Sequence, residues 1–418
     1  MAIALGLMAF IPQSGQAIPA FARKHGFNCN MCHTAFTKLN DYGQRVRDNG
    51  YQLPGQEGRE KNVFQIAPPI SLRTSVGLFV AHKPSTESGV KSTTSGFHLN
   101  GLDLLAAGVM HKNISFLLIY TPRIDEPRAI YQPGGGDANP SQLGALESAN
   151  IVFSNLIPDA LNLRVGRFEP AYHPFSSKRS YYLLQPYEVY TFTTPGNDFV
   201  FDDNQIGVEA TGHLSDGLKY GAGIVNGSGP NPDNSNAKDF YVNLSETIGR
   251  GDGQSSGQRV GAFAYYGWQP ARKYSLYIAP MGDEDQKNNK LFYRLGGDVS
   301  LNWRTFNFKA LLLHGADDGD LNRTLSGEDY SFTGGFGRLD WAGLMNNRLV
   351  ASALFNWVQP PDYDDARTIK AFSVLGRYYL GDWTAVNVAL HCEYTYRKVG
   401  DDNGDTEHQF AALVDFDF

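Results

Sequence analysis

Cys29, Asn30, Met31, Cys32 and His33 form a Cys-x-x-Cys-His run near the N-terminus of a 418-residue chain that holds only 3 cysteines. Two thiols at this spacing reach neighbouring vinyl groups of a haem, and the adjoining imidazole is then placed under the iron. In other surroundings the same residues would be a thioredoxin-type redox pair or half of a zinc site. A redox pair wants a βαβ frame, and a zinc site wants a second Cys/His pair close by. Neither accompanies this run. Cys29 and Cys32 are therefore expected to anchor one covalent haem c, with His33 as the proximal iron ligand.

The opposite side of the iron has no such signature. His25 is too close in sequence to reach it, and Met31, between the two anchors, points away. His98, His111 and His391 remain as donors, as do Met110, Met281 and Met345. His391 stands on the face expected to line a barrel interior and is the distal ligand assigned from sequence. A Met ligand stays open, and it would raise the haem potential relative to a second His.

The elements that must position the motif start upstream of it. Residues Met1 to Phe10 are almost wholly apolar and lead to Ser14-Gly15-Gln16-Ala17, the pattern of a secretory signal peptide over 1–17 cleaved after Ala17. No basic segment precedes this run, which puts the natural start a few residues upstream. Export agrees with the motif, because haem attachment to Cys-x-x-Cys-His in bacteria is periplasmic. Beyond the motif, Phe36, Leu39, Tyr42, Val46 and Gly50 recur at helical spacing, with Lys38, Asp41, Arg45 and Asp48 opposite. This predicts a helix over 34–49, ended by Gly50, with its apolar edge on the porphyrin or on the rest of the fold. The module, residues 18–69, closes at Pro68-Pro69. About fifty residues bury too little surface to stand alone, so something else must cover the haem.

From Ile70 the apolar period changes to two. Segments 70–81, 96–109, 113–122, 145–154, 160–168, 204–213, 217–226 and 238–248 read as strands. So do 258–269, 290–303, 305–315, 328–341, 347–358, 367–380, 383–398 and 406–418. These sixteen have the length of tilted membrane strands. Phe410, Ala412, Val414 and Phe416 share one face, with Gln409, Asp415 and Asp417 on the other. Likewise Leu349, Ala351, Ala353, Phe355 and Trp357 oppose Arg348, Ser352 and Asn356, and Leu390, Cys392 and Tyr394 oppose His391 and Glu393. Apolar-out and polar-in is the lipid/lumen division of an outer-membrane barrel over 70–418. It puts Cys392 against lipid, as a small hydrophobe.

Connection lengths agree. Short links (111–112, 215–216, 304, 381–382) alternate with long ones (82–95, 123–144, 169–203, 270–289, 316–327), as periplasmic turns alternate with outer loops. The parity returns both the haem module and the C-terminus to the periplasmic side. The terminal Phe418, with alternating aromatics before it, resembles the end of bacterial barrel proteins. A soluble β-sandwich or propeller explains neither feature.

Composition sets outer bounds. The chain is 42% hydrophobic and 13% aromatic with 45 Gly, which suits a β-rich protein with many turns. A net charge of -7 argues against a nucleic-acid partner, since phosphate binding needs a basic surface. No Gly-rich phosphate loop, His-Glu-x-x-His or nucleophile elbow is present, so hydrolytic chemistry is unsupported. Arg294, Lys309, Arg348, Arg377, Arg397 and Glu393 fall on the lumen face, either as plain lining or to contact haem propionates and hold a plug. Acidic clusters at 202–203, 283–285, 317–320, 362–365 and 401–405 fall in outer loops, where they attract divalent cations or simply stay solvated.

The run from Ala17 to Lys24, then Cys29 to Phe36, then Asn49-Gly50-Tyr51, resembles the fused outer-membrane monohaem cytochrome–porins of iron-oxidising bacteria. The likeness is at motif level over the first fifty residues and architectural beyond them. It implies one haem module ahead of a barrel, oxidation of extracellular Fe(II), and transfer of the electron to a periplasmic c-type cytochrome. By motif match Cys29 and Cys32 carry the thioethers and His33 the axial bond; no iron-contact residue carries over. The alternative is a plugged solute porin in which the haem is structural or sensory.

Overall fold

In a computed structural model, the described residues are 25, 27, 31–35, 38–65, 70–84, 91–122, 144–184, 186–215, 217–231, 233, 235–249, 257–271, 288–345, 348–380, 387–400 and 404–417. The expected signal peptide, Cys29, Met281 and the side chain of His33 lie outside them.

A short hairpin, β1 (His33–Ala35) and β2 (Lys38–Leu39), precedes helix α1 (Asp41–Asp48). Eight strands follow as β3 (Ile70–Lys83), β4 (Ser92–His111), β5 (Ile114–Pro122), β6 (Gly144–Ile157), β7 (Leu161–Phe168), β8 (Gln205–His213), β9 (Leu218–Val225) and β10 (Asp239–Ile248). Eight more are β11 (Gln258–Pro270), β12 (Asn289–Trp303), β13 (Phe306–Asp317), β14 (Tyr330–Leu344), β15 (Leu349–Gln359), β16 (Ile369–Tyr379), β17 (Asn387–Val399) and β18 (Asp405–Asp417). Each pairs antiparallel with its sequence neighbours, and β18 pairs with β3 to close the barrel. Each expected strand overlaps one observed strand, because a period-two pattern bounded by turn residues is a local signal.

Side-chain alternation fixes the register. In β10, Phe240, Val242 and Leu244 are exposed on the outer wall, while Asp239, Tyr241, Asn243 and Ser245 are buried. The expected faces of β15, β17 and β18 are the observed ones, and Cys392 lies on the outer wall. An apolar outer belt of this extent suits lipid and not water.

Two expectations need correction. The helix begins at Asp41, not Thr34, because the Asn40 side chain caps it, accepting a 2.9 Å hydrogen bond from the Gly43 N–H. Thr34 and Ala35 instead belong to the β1–β2 hairpin. Gly50 follows the helix at φ 66°, as expected of a residue just past a C-cap.

The second correction concerns 169–203, expected as an outer loop. It folds into the lumen, where Tyr172, Phe175, Tyr181, Tyr182, Tyr187, Tyr190, Phe192, Phe199 and Phe201 are all buried. Opposing them are inward residues of the wall, among them Tyr241, Tyr265, Phe292, Phe332 and Phe336. The lumen is thus not simply polar. An aromatic-rich loop gains more from a dry wall than from solvent, and the inward positions of β10–β14 provide one. A four-residue helix, α2 (Glu188–Thr191), sits in this plug against β14 and β15.

Candidate haem motif and lumen cavity

The motif turn is tied to α1 by one asparagine. Asn40 N–H donates to the Cys32 carbonyl at 2.9 Å, and its Nδ2 donates to the Met31 carbonyl at 3.0 Å, while its Oδ1 caps the helix. Gly43 permits the contact, since a Cβ there would lie 2.1 Å from the Cys32 carbonyl oxygen. Cys32 itself is a free, half-buried thiol. Burial pushes it up to about 11, opposite to the lowered thiol of a disulfide-exchange pair. Of the expected donors Cys29, Cys32 and His33, only the Cys32 side chain lies among the described residues, as a free thiol on a turn fixed to a helix that suits a thioether.

The module docks at the short-turn end of the barrel. Val63 N–H donates to the Val109 carbonyl at 2.9 Å, Gln52 Nε2 donates to Ser154 Oγ at 2.9 Å, and Lys219 pairs with Asp48. These partners adjoin the turns 112–113, 158–160 and 214–217. Gly50 packs so closely that a Cβ there would lie 2.4 Å from Ser115 Oγ.

Between α1 and the infolded loop lies a cavity of about 300 Å³. Gln44, Arg47 and Asp48 line one side, and Glu169, His173 and Ser176 another. Glu169 joins module to plug. It pairs with Arg47 of α1 at 3.5 Å and with Arg179 of the loop. Burial alone would raise its pKa, but Arg179 and Arg47 hold it well below the usual carboxylate range. Burial holds His173 down to about 4, so it is neutral, with Nε2 facing the Phe201 carbonyl. Across the cavity Arg164 pairs with Glu209, which also accepts from Ala171 N–H at 2.6 Å and Tyr241 Oη at 2.6 Å.

The expected lumen residues turn out to serve the plug. His391 faces inward and is buried, but its Nε2 meets Glu393 at 3.0 Å and its Nδ1 lies 4.0 Å from Asp415. It is not among the residues that line the cavity beneath α1. Glu393 also accepts from Leu183 and Leu184 N–H at 2.8 and 3.2 Å, and Arg397 pairs with Glu188 of α2 at 2.7 Å. Arg377 pairs with Asp415 at 2.7 Å, and Arg294 with Asp317 at 2.6 Å between the rings of Phe199, Phe292 and Phe332. Lys309 does line the cavity, and Arg348 lies at the start of β15 beside a short turn.

Of the other distal candidates, His98 stacks edge-on against Phe79, and His111 and Met345 stand at the short-turn rim. The histidines that border the cavity are His173 and His213, which sequence reasoning missed. Only the infolding of 169–203 brings His173 there. The acidic clusters also divide differently from expectation. Asp202 and Asp317 are interior: Asp202 accepts from Ser177 Oγ at 2.6 Å, and burial pushes it up to about 6. Among the described residues no group of three His, Cys, Asp or Glu side chains is placed to hold a metal ion.

No protein-family model matches the chain, and no curated protein does. Solved structures do. The fold is similar to Pseudomonas putida OprB, at TM-score 0.53 and 12% identity over 91% of this chain and 98% of that one. It is similar to the anion-selective porin from Comamonas acidovorans, at TM-score 0.52 and 12% identity over 84% and 100%. It is also similar to the outer membrane channel DcaP of Acinetobacter baumannii, at 0.51 and 8% over 84% and 97%. The barrel therefore has the fold of outer-membrane porins.

Proposed function

We propose that this chain is a plugged outer-membrane barrel carrying one covalent haem c at its periplasmic end, and that it relays single electrons. The donor would be extracellular, with Fe(II) the one the motif resemblance implies, and the acceptor a periplasmic c-type cytochrome. One observation carries this reading: the Cys-x-x-Cys-His turn is tied through Asn40 to α1, and α1 is ion-paired through Arg47 to Glu169 of the loop that fills the lumen. The turn at Met31–Cys32, α1 and the plug are thus packed together. Bound haem would supply a one-electron redox centre there. The chain's own residues fix the motif against α1 (Asn40, Gly43), hold α1 to the plug (Arg47, Glu169, Arg179) and fill part of the lumen with packed rings (Tyr187, Tyr190, Phe336). The test is purified protein in detergent: a covalent haem spectrum, rapid reduction by Fe(II), and a low conductance in planar bilayers are expected. Loss of any haem signal on purification, or a haem that Fe(II) leaves oxidised, refutes the relay.

The likeness to porins, taken by itself, favours a second reading, and one of those neighbours is named for anion selectivity. In that reading the barrel conducts solutes through the polar cavity and the haem is structural or sensory. A large, stable conductance without Fe(II)-driven haem reduction would establish it in place of the relay.

A further inference from the structure

The cavity beneath α1 has a lining rich in cationic side chains. Lys219, Arg47, Arg179 and Arg164 have the carboxylate partners described above, with Glu169 shared by two of them. Arg45, Arg259, Lys309 and Arg338 line the same space, so eight cations face the carboxylates of Asp48, Glu169 and Glu209. Arg259 and Arg338 are paired outside the lining, with Asp298 and Asp340. Even with those two acids counted, cations outnumber carboxylates among the described residues around this cavity. Two buried donors add to this. Asn243 is 5% exposed, and its Nδ2, like Arg164 Nε, has no hydrogen-bond partner among the described residues. Both residues line the cavity. Its lining also includes Gly217 and Asn302, close to two of the short turns, so it approaches the periplasmic rim.

We propose that this cavity is an oxyanion site, taking a carboxylate or phosphate group with several acceptor oxygens between Lys309, Asn243 and the guanidinium groups around Arg164. Guanidinium and ammonium donors suit such a group, and excess charge in a partly dry lumen strengthens the attraction. Two sources share this chemistry: the propionates of the chain's own haem, and a free anion entering from the periplasm. The site does not depend on the haem, whose presence decides only which source fills it.

The experiment titrates inorganic phosphate into full-length detergent-purified protein by calorimetry, at low and high salt. It uses the wild type, the double variant Cys29→Ala/Cys32→Ala, and Lys309→Gln, Lys309→Arg and Asn243→Ala in each background. Heat-modifiable gel migration confirms that each barrel is folded. Binding to the haem-loaded protein assigns the site to a free anion, and binding only to the double variant assigns it to propionates. In either case Lys309→Gln and Asn243→Ala should each weaken binding about tenfold, the worth of one charge-assisted hydrogen bond, with Lys309→Arg close to wild type. Phosphate that binds nowhere, or binds with no response to Lys309→Gln and Asn243→Ala, overturns the proposal. If no haem is attached at all, the wild type should bind phosphate as the double variant does, so failure of the haem reading and failure of this site give different results.

Discussion

Glu169 is the point at which the plug can be unfastened without touching the wall. Its carboxylate is 7% exposed and serves Arg47 of the module at 3.5 Å and Arg179 of the loop, with His173 Nδ1 at 4.0 Å. Glu169→Gln leaves two guanidinium groups in a largely buried setting without their shared counter-charge. Removing one partner of a buried ion pair costs about 3–5 kcal/mol. Arg47 and Arg179 keep 21% and 30% of their side-chain surface exposed, so the lower end applies, about 3 kcal/mol. At about 1.4 kcal/mol per decade this is roughly a hundredfold rise in local opening. Hydrogen exchange read by mass spectrometry should show it over 170–184 and in α1, while the ladders of β10–β18 keep their protection. The pH axis gives a second check. The folded pKa of Glu169 is depressed, so its contribution is complete above the ordinary carboxylate value of about 4.3 and is lost as pH falls through the folded value. After correction for intrinsic rates, wild-type protection should decline only in strong acid, and Glu169→Gln should lack that part of the decline. Unchanged protection of both 170–184 and α1 in Glu169→Gln would refute the claim that this carboxylate fastens module to plug.

Three further outcomes are expected. Asp202 has a folded pKa raised to about 6, so it stabilises the plug in full below its unfolded value of about 3.9, and that stability is lost as pH rises through 6. Asp202→Asn should therefore protect the loop better than wild type at pH 7.5 and flatten its response between pH 4 and 6, in the same exchange assay. Gly50→Ala puts a side chain at φ 66° and 2.4 Å from Ser115 Oγ, which should cost about 1–3 kcal/mol and expose 41–65 to limited proteolysis with the barrel intact. Replacing 171–201 by a short Gly/Ser linker should raise single-channel conductance severalfold, because it removes the rings that fill the lumen; no change would show that the plug does not limit flow.

Much of the architecture could be read locally. A β-strand with one face in lipid must alternate, so each pair such as Leu390 and His391 or Phe410 and Gln409 announces its own side of the wall. Closure in sequence order then follows from short turns, and the haem motif is legible because its chemistry needs adjacent residues. The start of α1 was misread because helical spacing over 34–49 ignored the asparagine that caps at 40 and the hairpin that uses 33–39. His391 faces inward as its alternation predicts, beside Glu393 and Asp415. Facing inward is a local property, but reaching a given point in the lumen is not.

By itself, then, the sequence determined the strands, their inward and outward faces, and the end of the barrel at which the short turns lie. Tertiary structure alone decided where 169–203 goes, and almost everything about the interior depends on that one segment. Once it folds inward, Glu393 and Arg397 become its anchors, Asp202 and Asp317 become interior acceptors, and His173 and Glu169 arrive beside α1. A loop's length and composition do not encode the wall it will meet. That is set by aromatic positions scattered over β10–β14, which become one surface only when the barrel closes.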